Sequence, residues 1–309
     1  MNTAAATSAE QALLLRAAEL VAAAGAATLS AHRPRDGAPG GSHASSRRGG
    51  GVEFAEHRDY VAGDDLRHLD WHAFARRDRL LIKRFETEVH SELWLVVDNS
   101  ASMALRIGDD PREVDKFGAV QTLALALALL ALRDGDAVGL EVPAAGGVSQ
   151  PSIAPRGGPM QRSRLAQALA TLQPHGVASL EAWRPARRGQ ATILAFSDVL
   201  SNPEAALAPL GALVRGGAVV TLVHALHPRE IDFAFAEPVN LRCDETEVAT
   251  VFDPRAAAEA AALMVAHREE VRHAALEVGA RYLFVDLGEG LPAVLREIVR
   301  TVTAGRRRG

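Results

Sequence analysis

The amino-acid pattern predicts an α/β protein: a doubly wound, mostly parallel sheet, preceded by an N-terminal helix and a small mixed α/β block. Three observations carry this. Apolar runs of strand length recur at 93–97, 191–196, 219–223 and 281–285, as expected of parallel strands buried on both faces. Helix-length segments alternate with them, the signature of a doubly wound sheet. Two of the runs end on an aspartate, Asp98 and Asp198, and open α/β sheets place their sites outside the carboxyl ends of strands.

Residues 8–32 read as an amphipathic helix with Ser8 as N-cap and a stripe of Leu13, Leu14, Ala17, Val21 and Ala24. No basic region precedes this apolar run, so it does not read as a signal peptide. Residues 33–51 form a Gly/Pro-rich linker. Their triplet Gly49-Gly50-Gly51 is not followed by Gly-Lys-Ser/Thr and is no phosphate loop. Residues 52–90 read as two strands, Val52–Tyr60 and Leu80–Phe85, around a turn and short helix at 64–77 capped by Asp64. His68 and His72 are four apart there, but the Glu of a zinc hydrolase is missing. We set a domain division at 90/91: 1–90 for helix, linker and block, 91–309 for the sheet domain.

In the second part, Asp110-Pro111 opens a helix running to Arg133, and Ala137–Val142 is a strand. Residues 143–160 are a loop with one short edge strand near Ser152-Ile153. Ser163–Leu172 and Glu204–Val214 are helical, and 230–254 break the rhythm as an edge hairpin. Ala256–Val278 and Leu291–Val302 are the last two helices. The apolar run 119–132 is too short to span a bilayer and fits a core helix. With 48% hydrophobic and 23% charged residues in 309, the composition is that of an ordinary globular chain. A net charge of −4 calls for neither nucleic acid nor an anionic membrane. A single cysteine, Cys243, rules out an intrachain disulfide and favours a reducing compartment. A cytoplasmic protein without membrane insertion is expected.

The stretch Asp98-Asn99-Ser100-Ala101-Ser102 places three oxygen ligands in one loop after a buried strand. Such a donor set suits a hard cation that keeps part of its water, Mg²⁺ above all. The alternative is an Asx-turn, with Asp98 and the serines satisfying loop N–H groups. No G-x-S-x-G is present, and Gly288–Ala293 matches G-x-G-x-x-A without a following strand.

The pattern Asp98-x-Ser100-x-Ser102 is similar to the metal-ion-dependent adhesion site of von Willebrand factor A-type domains. Upstream, Glu53-Phe54, Arg58, Tyr60, Gly63-Asp64-Asp65, Arg67, Asp70-Trp71 and Ala75-Arg76 resemble the signature of the domain of unknown function 58 family. That family pairs such a block with a von Willebrand A-like domain and is often encoded beside MoxR-type AAA+ ATPases. The resemblance implies a sheet of von Willebrand A type and metal ligands Asp98, Ser100, Ser102 and Asp198. The family's further Thr has no match in 156–163, where Ser163 is the available substitute and Arg156 and Arg162 would oppose a cation. It also implies a non-enzymatic interaction module, an adaptor or co-chaperone of a MoxR-type AAA+ ATPase. The alternative is a metal-dependent hydrolase using Asp98 and Asp198. For Arg58, Tyr60, Arg67, Asp70, Trp71 and Arg76 two roles stand open: an ion-pair network holding the block together, or a partner-docking face with Trp71 and Arg76 as anchors.

Overall fold

Alternation along the first buried strand decides how the sheet is covered. In β3 (Glu92–Val97), Leu93, Leu95 and Val97 join one apolar core, and Trp94 and Val96 join another. Successive side chains point to opposite faces, so both faces must be packed. The computed structural model describes residues 3–25, 29, 52–61, 69–77, 79–87, 91–105, 115–143, 151–176, 180–185, 189–242 and 249–306. These fall in two units, residues 1–31 with 91–309, and residues 32–90.

In chain order the elements are α1 (Thr3–Ala24), β1 (Val52–Asp59), α2 (Trp71–Arg77), β2 (Leu81–Thr87), β3, α3 (Lys116–Arg133), β4 (Ala137–Glu141), β5 (Ser152–Arg156) and α4 (Pro159–Thr171). There follow β6 (Thr192–Ser197), α5 (Pro203–Arg215), β7 (Val219–Leu226), α6 (Pro228–Asp232), β8 (Val239–Arg242), β9 (Ala249–Phe252), α7 (Ala257–Glu277), β10 (Arg281–Asp286) and α8 (Leu291–Arg306).

The larger unit is built on a six-stranded sheet of order β10-β7-β6-β3-β4-β5. Every pairing is parallel except that of β5 with β4. From β3 the chain runs outward to β4 and β5, then crosses to β6 and continues outward on the other side. The connections therefore diverge between β3 and β6, and that pair of strand ends is the topological switch point, where open sheets bind ligands. Gly139 of β4 lies opposite Trp94; a Cβ there would come within 2.6 Å of the indole. The missing side chain leaves room for the large ring beside β4.

Helices α1, α3, α4 and α8 cover one face, α5 and α7 the other. α3 is apolar almost all round and buried accordingly, with Leu123, Leu125 and Leu127 sealed from solvent. It is the one described helix long and apolar enough to cross a membrane, and 72% of it is buried within the protein.

α1 starts at Thr3, so Ser8 lies inside the helix instead of capping it, and the helix stops at Gly25, whose φ of +70° ends it in the left-handed region. The expected stripe is the packed one: Leu13, Ala17 and Ala24 are buried, with Leu14 and Val21 alongside. This helix shares a core with α3, α4 and α8. The division at 90/91 grouped it with the signature block, but α1 packs as part of the sheet unit. The segment 230–254 holds an antiparallel pair, β8 with β9, which forms a sheet of its own and not an edge of the main one.

The smaller unit is an antiparallel pair of β1 and β2 carrying α2. The helix occupies the second half of the 64–77 segment read as a turn and short helix, and its cap is Asp70. Asp70 Oδ1 accepts the backbone N–H groups of His72 and Ala73, both at 3.0 Å. Asp64 and Arg67 lie outside the described residues. Replacing a capping Asp by Ala costs about 1 kcal/mol. We expect Asp70→Ala to destabilise this unit by about that much, seen as faster hydrogen exchange at His72 and Ala73. Unchanged protection at both amides would show that the cap is dispensable.

Candidate functional site

The site lies at the switch point and is assembled from strand ends. Asp98 follows β3 and Asp198 follows β6, and both are buried. Asp98 Oδ1 accepts the Ser100 N–H at 2.9 Å, the Asx-turn geometry, and Oδ2 accepts the Ser197 hydroxyl at 2.6 Å. Ser100 Oγ and Ser102 Oγ are 2.9 Å apart. The sequence-predicted oxygens Asp98, Ser100 and Ser102 thus do share one loop. Burial, and next the charge of Asp198, push the Asp98 carboxyl up to about 7.

A residue that the sequence reading passed over dominates the cluster. Lys116, the first residue of α3, has no solvent-exposed surface. Its Nζ donates to Asp198 Oδ2 at 2.6 Å, to Glu230 Oε1 at 2.7 Å and to the Ser102 carbonyl at 3.3 Å. Burial favours the neutral amine, but the carboxylates of Asp198 and Glu230 outweigh it and hold the lysine pKa above its ordinary value. Asp198 is therefore paired with a lysine and not with an arginine. Glu230 sits in α6, where its other oxygen accepts the His227 N–H at 2.7 Å, and the His227 ring accepts the Arg229 N–H at 3.1 Å. This reciprocal capping box fixes a one-turn helix directly after β7. Burial pushes the Glu230 pKa up, with Lys116 opposing.

A divalent cation on Asp98, Ser100, Ser102 and Asp198 does not fit this arrangement. A metal bound to the Asp198 carboxylate would face a buried ammonium. At 4 Å each pair of unit charges repels by about 4 kcal/mol even at an effective dielectric constant of 20. Ser163, the available substitute for the missing Thr, is exposed on α4, and Arg156 and Arg162 are exposed as well. The described residues contain no group of three or more His, Cys, Asp and Glu side chains arranged to hold a metal.

The backbone beside Asp198 is strained. Val199 has φ 42°, a region β-branched residues avoid. It is held there because its N–H bonds Ser197 Oγ at 3.1 Å and its carbonyl accepts from His267 Nε2 at 2.7 Å.

His224, buried in β7, braces the same turn. Its Nε2 lies 2.8 Å from the Asp198 carbonyl and its Nδ1 2.9 Å from the Tyr282 hydroxyl. A carbonyl only accepts, so Nε2 carries the proton and Nδ1 accepts from Tyr282. Burial lowers the His224 pKa to about 4, against about 6.5 in an unfolded chain. Between these values the unfolded state binds more protons. This contribution is present in full above pH 6.5 and is lost as pH falls through 4, up to about 3 kcal/mol in all. We expect urea unfolding of the wild type to weaken more steeply from pH 6.5 to 4 than that of His224→Gln. Parallel pH profiles would show that His224 is not held neutral.

In the smaller unit Trp71 is 62% exposed and lies edge-on to exposed Phe74, with ring centroids 6.4 Å apart. Arg76 is exposed, its Nε 3.3 Å from the His72 carbonyl, and Tyr60 is half-buried. Arg58 lies on β1 opposite Ile82. The described ion pair of this unit joins Arg79 to Asp59 on the surface at 2.9 Å, a kind of contact that contributes little stability.

The family profile described as "Protein of unknown function DUF58" matches residues 56–273. The uncharacterized protein Rv1480 of Mycobacterium tuberculosis is 29% identical over 301 residues, covering 94% of this chain and 91% of its own length. Among solved structures, an aerotolerance-related membrane protein from Bacteroides fragilis aligns at 17% identity and a TM-score of 0.43, over 69% of this chain and 99% of that one. A von Willebrand factor type A protein from Catenulispora acidiphila aligns at 13% identity and 0.36, over 73% and 45%. The signature block from Arg58 onward and the sheet domain into α7 lie within the family match, and the chain belongs to the family of unknown function DUF58.

Proposed function

We propose that this protein is a non-enzymatic interaction module serving as an adaptor or co-chaperone of a MoxR-type AAA+ ATPase in the cytoplasm. The observation that carries the reading is the Trp71–Phe74 pair, two large aromatic side chains left in solvent on a short capped helix of the signature block. Tryptophan and arginine dominate interface energies, and Arg76 is exposed on the same helix. The family resemblance supplies the identity of the ATPase. The strand-end cluster supports the non-enzymatic part. Asp98 and Asp198 are buried, both oxygens of Asp98 are already acceptors, and Asp198 is bound to Lys116. A metal-dependent hydrolase would need those carboxylates open to a metal and to water.

The test is direct association of the purified protein with a purified MoxR-type ATPase, followed by light scattering. A complex of defined mass supports the adaptor reading. Absence of a complex with and without nucleotide would sink it for that ATPase.

A further inference from the structure

We infer that Lys116 is itself the cation of the strand-end site: a tethered ammonium of this chain takes the role that the A-type pattern gives to a divalent metal. The inference goes beyond the adaptor reading and does not depend on it.

The geometry is that of a filled site. An ammonium has three N–H donors and no acceptor. Here three oxygens meet it, from Asp198, Glu230 and the Ser102 carbonyl, at 2.6, 2.7 and 3.3 Å. No donor is left for an outside ligand, and no surface of Lys116 reaches solvent. The three acceptors come from three places. Ser102 follows β3, Asp198 follows β6 and Glu230 follows β7, and these strands are adjacent in the sheet. One side chain from the start of α3 therefore ties together three neighbouring strand ends at the switch point. A metal would do the same with exchangeable waters and an open position. The lysine does it with a fixed charge and no vacancy. A carboxylate from another protein has no coordination position here to complete.

The charge balance agrees. Asp198 and Glu230 face one ammonium, with Asp98 beside them. Remove the ammonium and the Asp198 and Glu230 carboxylates lose their shared partner, leaving two buried anionic oxygens of the kind that Mg²⁺ or Mn²⁺ takes. Lys116 thus excludes the metal that its surroundings would otherwise attract.

The experiment is a Mn²⁺ titration followed by electron paramagnetic resonance, with thermal melts in Mn²⁺ and in EDTA. Wild type, Lys116→Met and Asp198→Asn are compared. The wild type should show no saturable binding up to about 1 mM Mn²⁺ and the same melting temperature in both media. Lys116→Met should bind Mn²⁺ at least about tenfold more tightly than wild type and melt higher in Mn²⁺ than in EDTA. Saturable wild-type binding that Asp198→Asn removes would overturn the inference, because the metal would then displace the lysine. So would an equal, weak response of the wild type and a folded Lys116→Met. If Lys116→Met does not fold, the wild-type titration still decides.

Discussion

Lys116→Met should destabilise the sheet domain severely. The side chain it replaces is fully buried and bonded to two carboxylates. Removing one partner of a buried pair typically costs about 3–5 kcal/mol, because the remaining charge is left unpaired in a poor solvent. For a domain of this size that corresponds to a fall in melting temperature of about 10 °C. Methionine keeps the aliphatic length, so the loss reports the charge and not a cavity. The pairwise nature of the effect can be checked in a cycle with Asp198→Asn. The double variant should lose less than the sum of the single losses, since neutralising Asp198 removes part of what Lys116 was compensating. Additive losses, or a Lys116→Met protein melting like wild type, would show that the ammonium does not hold these strand ends together. Raising ionic strength should change little, since a sealed pair is poorly screened.

The sheet was legible because its causes are local. A five-residue apolar run such as Leu93–Val97, bounded by turn residues, has the length of a buried strand and not of a helix, and helix-length segments between such runs favour parallel pairing. The convergence of Asp98 and Asp198 was not local in this sense: the resemblance to A-type domains implied it, and β3 and β6 do pair in parallel. Lys116 and Glu230 were not legible in that way. Their bonds to the cluster span 82 and 114 positions, and nothing local dictates them. Lys116 precedes the run Phe117-Gly118-Ala119-Val120 at the head of an otherwise apolar helix. A lone ammonium at the core-facing start of such a helix, just beyond an aspartate-ended strand, was the available signal. His227-Pro228-Arg229-Glu230 carried another, with proline at the first helical position and glutamate two places on. His224 lay one residue past the strand read at 219–223, which β7 continues to Leu226. By residue type alone Asp64 and Asp70 are equally good caps, and the sequence did not single out Asp70. The Asp70 cap is set by a tertiary contact: Asp70 N–H bonds the Leu81 carbonyl, beside the Leu69–Ile82 bridge to β2.

Trp71→Ala should weaken association with the ATPase by about 30-fold, the equivalent of about 2 kcal/mol for a central tryptophan anchor. Folding should be almost untouched, since substitutions at exposed sites usually change stability by no more than about 0.5 kcal/mol. Trp71 is 62% exposed and its near neighbour is Phe74, so the alanine leaves no cavity. The contrasting substitution is Ser100→Ala. Ser100 is buried in the strand-end loop and bonded to Ser102. If a bridging metal joined the two proteins, losing this hydroxyl would weaken the complex as strongly as losing Trp71. With Lys116 as the resident cation it should leave the complex unchanged. EDTA alone is a poor arbiter here, because the ATPase needs Mg²⁺ for its own nucleotide, so the two variants carry the decision. Isothermal titration of ATPase into wild type, Trp71→Ala and Ser100→Ala gives the three affinities directly. A complex that survives Trp71→Ala and fails with Ser100→Ala would move docking from the signature block to the strand ends.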